Sequence, residues 1–347
     1  MKEPLIGKTL SELELLCERE GFAKYVSRQL ASWLYDKRVQ DIDGMSNISK
    51  AAREILKEKY CVGIIAPEQV ITSVDGTKKY AFPTDSAPLL ENGRHRLIEA
   101  VMIPDEDRAT LCVSSQVGCK MGCKFCMTGR QHFHGNLTAA EILSQFLSID
   151  ESAVLTNAVF MGMGEPLDNW PEVSKAIEIL TADWGFGWSP KRITLSTIGV
   201  LPNLKQFLDN TKCHLAISIH NPFPAERLEL MPVQKKYDIT EVVALLKQYD
   251  FSGQRRVSFE YTMFSGVNDT KRHADGLVHL LRGLECRVNL IRFHKIPDSP
   301  LETSPDEIIE LFRARLNAAG LLTTVRASRG EDILAACGML AGKNLEN

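Results

Sequence analysis

From residue 109 onward, strand-like and helix-like stretches alternate along the chain. The predicted strands are Ala109 to Ser115, Ala153 to Met161, Arg192 to Thr197, His214 to His220, Arg255 to Met263 and Cys286 to Ile291, with a possible last strand at Leu322 to Ala327. Helices are predicted to begin near Thr138, Trp170, Leu201, Thr240, Asp269 and Pro305. Six βα units in series predict an α/β fold with a parallel sheet, either a closed barrel or an open partial one.

The residues before this alternation have a different pattern. The first sixty are predicted to be helical, because apolar residues from Phe22 to Leu34 and from Ile48 to Leu56 recur at helical spacing. Between Pro67 and Pro104, short β-type runs are broken by turn signals such as Asp75-Gly76. We therefore predict an accessory domain at residues 1–94, helical and then hairpin-like, and a core domain at residues 95–347.

A loop after the first predicted strand carries three cysteines at gaps suited to metal binding. They are Cys119, Cys123 and Cys126. Three thiolates on a [4Fe–4S] cluster leave one iron free to bind a small molecule. A zinc site is the alternative, and it would require a fourth ligand such as His132 or His134. The nine cysteines of a chain without a secretion signal also favour reduced thiols over a disulfide scaffold.

Other polar groups follow the later strands, where a parallel sheet places its active site. The candidates are Gly164 and Glu165 after the second strand, Ser196 at the end of the third, and Ser218, Ile219 and His220 at the end of the fourth. A glycine lets a ligand approach the backbone closely, and Glu165 can accept a hydrogen bond from a cationic amine. Each of these segments could also be an ordinary turn or strand cap.

Charge and hydropathy indicate which partners and which cellular location to expect. The net charge of −3 gives no global signal for nucleic acid, so such binding would depend on local patches. Candidate patches contain Lys120, Lys124, Arg130, His132 and His134 near the cysteines, then Lys235 with Lys236 and Arg255 with Arg256. No apolar run approaches membrane-spanning length and Met1 to Pro4 lacks the apolar core of a signal peptide, so we expect a cytoplasmic protein without membrane contact.

Several motifs resemble a known enzyme family. The CxxxCxxC spacing with Phe125 resembles the radical S-adenosylmethionine (SAM) signature. The motifs that extend the resemblance to the 23S ribosomal RNA adenine-C2 methyltransferases are Cys112 to Cys119, Asn136 to Thr138, Met163 to Leu167 and Arg329 to Gly338. The resemblance implies a partial (βα)6 TIM-like radical SAM barrel. It also implies one [4Fe–4S] cluster per chain on Cys119, Cys123 and Cys126, with SAM bound by Gly164, Glu165, Ser196, Ser218, Ile219, His220 and His294. Many family members carry asparagine where this chain has His294.

The resemblance also implies a two-cysteine mechanism. One SAM would methylate Cys337, and a second would supply the radical that activates this methyl carbon for addition to adenine C2. Cys112 would then form a transient disulfide with Cys337, and Glu99 would accept the C2 proton. Each residue has a plainer interpretation: Cys337 lies among alanines and could be a packing residue, and a strand glutamate such as Glu99 is usually solvated.

The same resemblance implies substrates and partners. They are an adenosine of 23S rRNA, a tRNA adenosine next to the anticodon, and a one-electron reductant of flavodoxin or ferredoxin type. The accessory domain would dock RNA by shape, and the enzyme would be a monomer. One alternative is a resistance enzyme that methylates C8 of the same adenosine, and a remote one is a zinc-stabilised RNA-binding module.

Overall fold

Helices and strands alternate through most of the chain in a computed structural model that describes residues 2–341. The strands are β1 (Glu3–Pro4), β2 (Tyr60–Cys61), β3 (Gln69–Thr72), β4 (Lys78–Thr84), β5 (Arg96–Asp105), β6 (Arg108–Cys112), β7 (Gln116–Val117), β8 (Gly135–Asn136), β9 (Asn157–Phe160), β10 (Ile193–Thr197), β11 (His214–Ser218), β12 (Val257–Met263), β13 (Arg287–Arg292) and β14 (Thr323–Val325). The helices are α1 (Leu10–Arg19), α2 (Tyr25–Ala31), α3 (Lys50–Lys59), α4 (Ala139–Leu147), α5 (Trp170–Thr181), α6 (Leu201–Asn210), α7 (Pro224–Leu230), α8 (Ile239–Leu246), α9 (Lys271–Leu281) and α10 (Asp306–Ala318).

One ten-stranded sheet organises the fold, in the order β14-β13-β12-β11-β10-β9-β6-β5-β4-β3. The strands from β6 to β14 in this order are parallel, whereas β3, β4 and β5 are antiparallel additions beside β6. The outermost strands β14 and β3 lie at opposite ends of the sheet, so the barrel is open. This confirms the predicted α/β fold with a partial barrel, including the last strand near residue 323.

The parallel strands are buried because helices connect each one to the next. In β11, Leu215, Ala216 and Ile217 are all fully or almost fully buried, as expected for a strand covered on both faces. Helix α4 begins where a helix start near Thr138 was predicted, with a capping box: the Thr138 side chain accepts from the Glu141 N–H, and the Glu141 side chain accepts from the Thr138 N–H. These connections bring the C-terminal ends of the seven parallel strands to one edge.

The N-terminal segment is helical, as predicted, and packs against the barrel. Helices α1 to α3 precede the sheet, and residues Ser32–Asp36 extend α2 as a short π-helix. Gly7 lies so close to α4 that an added Cβ would stand 2.5 Å from the Ala140 nitrogen. The division at residues 94 and 95 stays a prediction; β4 and β5, on either side of it, pair in the same sheet.

Three expectations for the elements are corrected. Helix α7 was not predicted, because its seven residues are too few to show a clear period. Strand β9 begins at Asn157 rather than Ala153, since residues 151–154 form a turn. Strand β5 is one long strand that pairs on both sides, where the sequence indicated only short runs and turns. Within residues 2–341, the structure contains no helix with the length and apolar character needed to span a membrane.

Candidate active site

A cavity of about 140 Å³ lies at the C-terminal edge of the parallel strands. Its walls come from the cysteine loop after β6, from the ends of β9 to β13, and from the loop after β14. Ten of the residues predicted for the site line it: Cys119, Cys123, Cys126, Gly164, Glu165, Ser196, Ser218, His220, His294 and Cys337. The position agrees with the rule that ligands bind at the carboxyl ends of parallel strands.

The cysteine loop is held close to the wall by backbone and ring contacts. Gly118 has φ +75°, and an added Cβ would stand 2.1 Å from the His132 carbonyl oxygen, so only glycine fits there. The Phe125 ring contacts the rings of His220 and Phe264, with centroids 4.7 and 5.3 Å away. The aromatic residue between the second and third cysteines therefore anchors the loop to the ends of β11 and β12.

The three thiols suit a cluster better than a single metal ion. Burial raises the pKa of Cys119 to about 12 and that of Cys123 well above its usual range, so thiolates there would depend on a bound cation. In residues 2–341, no group of three or more His, Cys, Asp or Glu side chains could hold one metal ion. A [4Fe–4S] cluster instead takes each thiolate on a different iron, which agrees with three cysteines around one cavity.

Glu165 is the buried carboxylate of the site. Its side chain accepts hydrogen bonds from the backbone N–H groups of Leu167 (3.0 Å) and Ile198 (2.9 Å). Burial nevertheless raises its pKa to about 7. The neighbouring Gly164 has φ +99°, and an added Cβ would stand 2.5 Å from the Gln116 side chain. The loop therefore presents a carboxylate that is poised to ionise near neutral pH when a cationic partner is present.

The ends of β10 and β11 contribute hydroxyl and imidazole groups. Ser196 and Ser218 line the cavity, and His220 lies in the left-handed region at φ 51°. The His220 Nδ1 accepts from the Thr262 N–H at 3.0 Å, which leaves Nε2 as the protonated nitrogen of the neutral ring. Burial and the charge of Arg227 lower the His220 pKa to about 3. Ile219 is fully buried and does not line the cavity; its carbonyl accepts from Arg227.

His294 joins the cavity to the C-terminal loop. Its Nδ1 lies 2.9 Å from the Glu331 carboxylate, and its Nε2 lies 3.0 Å from the Ser328 hydroxyl. Both ring nitrogens are therefore engaged by residues 328–331, and a ligand contact from the imidazole would require one of these partners to move.

The C-terminal loop holds Cys337 against the cysteine loop. The Gly338 carbonyl accepts from the Met127 N–H at 2.7 Å, and the Leu340 carbonyl accepts from the Thr128 hydroxyl at 2.7 Å. Cys337 itself is exposed and lines the cavity. The packing interpretation of this cysteine is therefore wrong, because its thiol borders an open space instead of filling the core.

Cys112 and Cys337 share one electrostatic environment with Arg326. Burial and the nearby Cys337 raise the Cys112 pKa to about 12, and the Arg326 charge opposes both effects. The Cys337 thiol is accessible from the cavity, but the protein around it still displaces water and raises its pKa, again opposed by Arg326. Cys112, at the end of β6, does not line the cavity. The guanidinium of Arg326 therefore acts on both thiols and favours their thiolate forms.

Glu99 is buried, with only 2% of its side chain exposed, so the plainer interpretation of a solvated strand residue is wrong. Its Oε1 lies 3.2 Å from the Lys79 ammonium, and its Oε2 accepts from the Ala341 N–H at 2.7 Å. It does not line the cavity but contacts the loop that carries Cys337. A cross-strand neighbour on β4 provides its counter-charge, and the sequence pattern gave no sign of that pairing.

Two buried residues of the site were missed by sequence reasoning. Arg227, fully buried on α7, donates to the carbonyls of Ile219 and Ser218, both at 3.0 Å, and so braces the end of β11. Glu260 on β12 lines the cavity, and its Oε2 is buried without a hydrogen-bond partner among the described residues. Neither residue belongs to a short motif: Arg227 lies on the short helix α7 and Glu260 lies inside β12, so the sequence contains no signal that marks them as site residues.

The proposed basic patches are partly neutralised. Lys120 lies 2.9 Å from the Asp168 carboxylate, so the cysteine loop does have a compensating acid from a distant segment. Arg255 is buried and donates to the Leu208 carbonyl at 2.9 Å, which removes it from the surface. The patch at Arg255 and Arg256 is therefore reduced to Arg256.

Comparison with known proteins agrees with this geometry. The family model of the Radical SAM superfamily matches residues 113–275, which places the chain among the radical SAM enzymes. The model described as Ribosomal RNA large subunit methyltransferase N-terminal domain matches residues 4–62. The "Probable dual-specificity RNA methyltransferase RlmN" of Phocaeicola vulgatus is 56% identical over 98% of this chain and 95% of its own length. The "Dual-specificity RNA methyltransferase RlmN" of Syntrophus aciditrophicus is 41% identical over 97% and 96%.

A solved structure leads to the same family. The crystal structure of a radical SAM methyltransferase from Sphaerobacter thermophilus has a TM-score of 0.89 and 37% identity, covering 98% of this chain and 100% of that one. The chain belongs to the RlmN family of radical SAM methyltransferases. Radical SAM enzymes use a [4Fe–4S] cluster and SAM, and the cavity described above offers the donor set for both.

Proposed function

We propose that this chain methylates C2 of an adenosine in 23S rRNA and of a tRNA adenosine next to the anticodon. The observation that carries the proposal is that Cys337 lines the same cavity as the three cysteines of the cluster loop and Glu165. A methyl carrier and a radical source would thus meet in one cavity. The names of the full-length relatives, which act on RNA with dual specificity, support the substrate class.

The cavity residues divide into two binding groups. Cys119, Cys123 and Cys126 would hold one [4Fe–4S] cluster per chain. The SAM-binding group would be Gly164, Glu165, Ser196, Ser218, Ile219, His220 and His294, with Ile219 acting through its backbone. Glu165 would take the methionine amine. Glu260 also lines the cavity, and its Oε2 makes no hydrogen bond among the described residues but lies 3.9 Å from the Arg326 guanidinium.

A thiol carrier is needed because adenine C2 is electron-poor and does not displace the methyl group of SAM directly. Cys337 would accept that methyl group first, with Arg326 favouring its thiolate. When bound, the cluster and SAM supply the one-electron chemistry that turns the Cys337 methyl group into a carbon radical.

Release of the RNA would depend on the chain's own residues. Glu99 would accept the C2 proton, and the Cys112 thiolate would attack the sulfur of Cys337. Before this attack, the radical adduct would give up one electron to the cluster. The bond between the Cys337 sulfur and the methylene carbon would then break with its electron pair on the carbon, and a proton would complete the new methyl group of the RNA. The shared influence of Arg326 on both thiols supports this pairing of Cys112 with Cys337.

Further features belong to the same proposal. A flavodoxin or ferredoxin would supply the electron, since SAM cleavage consumes one electron at a time. As the family resemblance implies, the enzyme would act as a monomer in the cytoplasm. Residues 1–94 would dock RNA and residues 95–347 would perform the chemistry, in line with the family match at residues 4–62.

The test is analysis of product and metal after anaerobic purification. Reconstituted enzyme incubated with SAM, a reductant and an rRNA fragment should yield 2-methyladenosine by mass spectrometry of the digested RNA. Finding 8-methyladenosine would instead select the resistance-type alternative. A third outcome would contradict the proposal that the chain is an enzyme. In that outcome the purified protein holds zinc, does not take up iron on reconstitution and does not consume SAM, which would select the RNA-binding module.

A further inference from the structure

Lys79 and Glu99 form a buried ion pair beside the loop that carries Cys337. The ammonium lies 3.2 Å from Oε1 of Glu99, and each side chain is only 2% exposed. Removing two charges from water is costly. Replacing a buried ion pair by apolar residues of similar volume often leaves a fold equally stable or more stable. Stability alone is therefore a weak explanation for this pair.

The pair contacts both ends of the Cys337 loop. Oε2 of Glu99 accepts from the Ala341 N–H at 2.7 Å, and Nζ of Lys79 donates to the Leu334 carbonyl at 3.4 Å. Cys337 lies between these two attachment points, three residues after Leu334 and four before Ala341. One ion pair thus holds the loop on either side of its cysteine.

The pairing follows from the register of two antiparallel strands. In β4 and β5, Lys79 lies opposite Val101 and Ala81 lies opposite Glu99, so the two charged residues are diagonal neighbours on one face. Strand β4 lies outside the region matched by the radical SAM superfamily, residues 113–275. The counter-charge of Glu99 thus comes from the segment that precedes the radical SAM region.

We propose that Lys79 is a positioning residue for the release step. The inference rests on the proposed function, in which Glu99 accepts the C2 proton. A carboxylate without hydration becomes neutral unless a cation compensates it, and a neutral carboxyl cannot take a proton. Lys79 provides the counter-charge 3.2 Å from the Glu99 carboxylate, and through the Leu334 carbonyl it holds the loop that presents the base linked to Cys337. The C2 proton passes to the Glu99 carboxylate, and the electrons of the broken C–H bond stay on the base.

The test compares Lys79→Met with Lys79→Arg and with Lys78→Met. Lys78 is a matched control, because the adjacent side chain pairs with Asp150 and Glu151 instead of Glu99. Three quantities are measured on the reconstituted full-length enzyme: methylation of Cys337 by intact-protein mass spectrometry, the covalent protein–RNA adduct on a denaturing gel, and free methylated RNA.

Lys79→Met is expected to methylate Cys337 normally, to accumulate the adduct, and to release methylated RNA about 10²-fold more slowly, as for loss of a general base. Lys79→Arg keeps the charge and should restore release, and Lys78→Met should behave as the wild type. If Lys79→Met does not fold, Lys79→Gln is compared with Lys79→Arg in the same three measurements.

Release of methylated RNA at the wild-type rate by Lys79→Met overturns the inference. An equal loss of Cys337 methylation, adduct formation and RNA release also overturns it, because that result would indicate only a structural role for Lys79. Glu99→Gln separates this inference from the proposed function. If Glu99→Gln stalls as an adduct while Lys79→Met releases normally, only the role of Lys79 falls. A wild-type enzyme that forms no methylated RNA would instead contradict the proposed function itself.

Discussion

The Oε1 atom of Gln116 accepts a hydrogen bond from the backbone N–H of Glu165 at 2.8 Å, and so joins the loops after β6 and β9. Gln116 is fully buried, and its Nε2 donates to Asn136 at 2.8 Å and to Asp168 at 2.9 Å. One amide therefore fixes the loop that places the Glu165 carboxylate in the cavity.

Gln116→Leu is expected to weaken SAM binding. The substitution leaves the Glu165 N–H without its acceptor, which costs about 1–3 kcal/mol for a buried group and corresponds to a loss of affinity of about tenfold. The measurement is SAM binding by calorimetry on reconstituted enzyme. Asn136→Ala is the control, because it removes another partner of Gln116 and leaves the bond to Glu165 intact; an equal effect of both variants would contradict the special role of that bond.

SAM binding is expected to strengthen as the pH rises through about 7. Burial raises the Glu165 pKa to about 7, so the carboxyl group is mostly neutral below that pH and mostly charged above it. Only the charged form makes a strong hydrogen bond to the methionine ammonium. The dissociation constant of SAM, measured between about pH 6 and 8 around this pKa, should fall as the pH rises in the wild type and stay constant in Glu165→Gln. An unchanged profile in Glu165→Gln would assign the dependence to another group.

Cys112→Ala is expected to trap a covalent protein–RNA adduct. Attachment through the Cys337 methyl carbon would proceed, and release would fail because no thiolate remains to attack the Cys337 sulfur. A denaturing gel followed by nuclease digestion and mass spectrometry measures the adduct. Cys286→Ala, a change to a half-buried thiol outside the cavity lining, should release RNA normally. Free methylated RNA from Cys112→Ala over many turnovers would refute the role of this thiol.

The sequence predicted the parts of the site that depend on neighbours along the chain. The helix start near Thr138, the glycine at 164 and the polar residues at strand ends are local signals, and the structure places them as expected. The alternation of strands and helices then predicted the edge of the sheet where these residues meet.

The remaining contacts join residues that are far apart in the chain. The acid that neutralises Lys120 is 48 residues away, and the N–H that binds Glu99 is 242 residues away. Such partners follow from strand register and loop packing, which a single sequence does not specify. The burial of Glu99 was missed for this reason: its strand has an ordinary pattern, and β4 together with the C-terminal loop covers it.

Arg227→Met is expected to destabilise the fold at the end of β11. Arg227 is fully buried and donates to Gln234 at 2.6 Å as well as to the carbonyls of Ser218 and Ile219. Methionine fills similar space but leaves these acceptors unpaired, which costs about 1–3 kcal/mol of stability per buried group. Part of that cost is offset because the variant no longer buries a charged guanidinium. We expect the free energy of unfolding to fall by about 3 kcal/mol.

Urea unfolding of the metal-free protein measures this change, because cluster binding then makes no contribution to stability. Arg256→Met is the matched control: Arg256 is exposed, and its replacement should change the free energy of unfolding by less than about 0.5 kcal/mol. The carbonyls braced by Arg227 belong to the segment that carries Ser218 and His220, so the variant should also bind SAM more weakly after reconstitution. Equal stability of Arg227→Met and Arg256→Met would show that the buried guanidinium does not support this strand end.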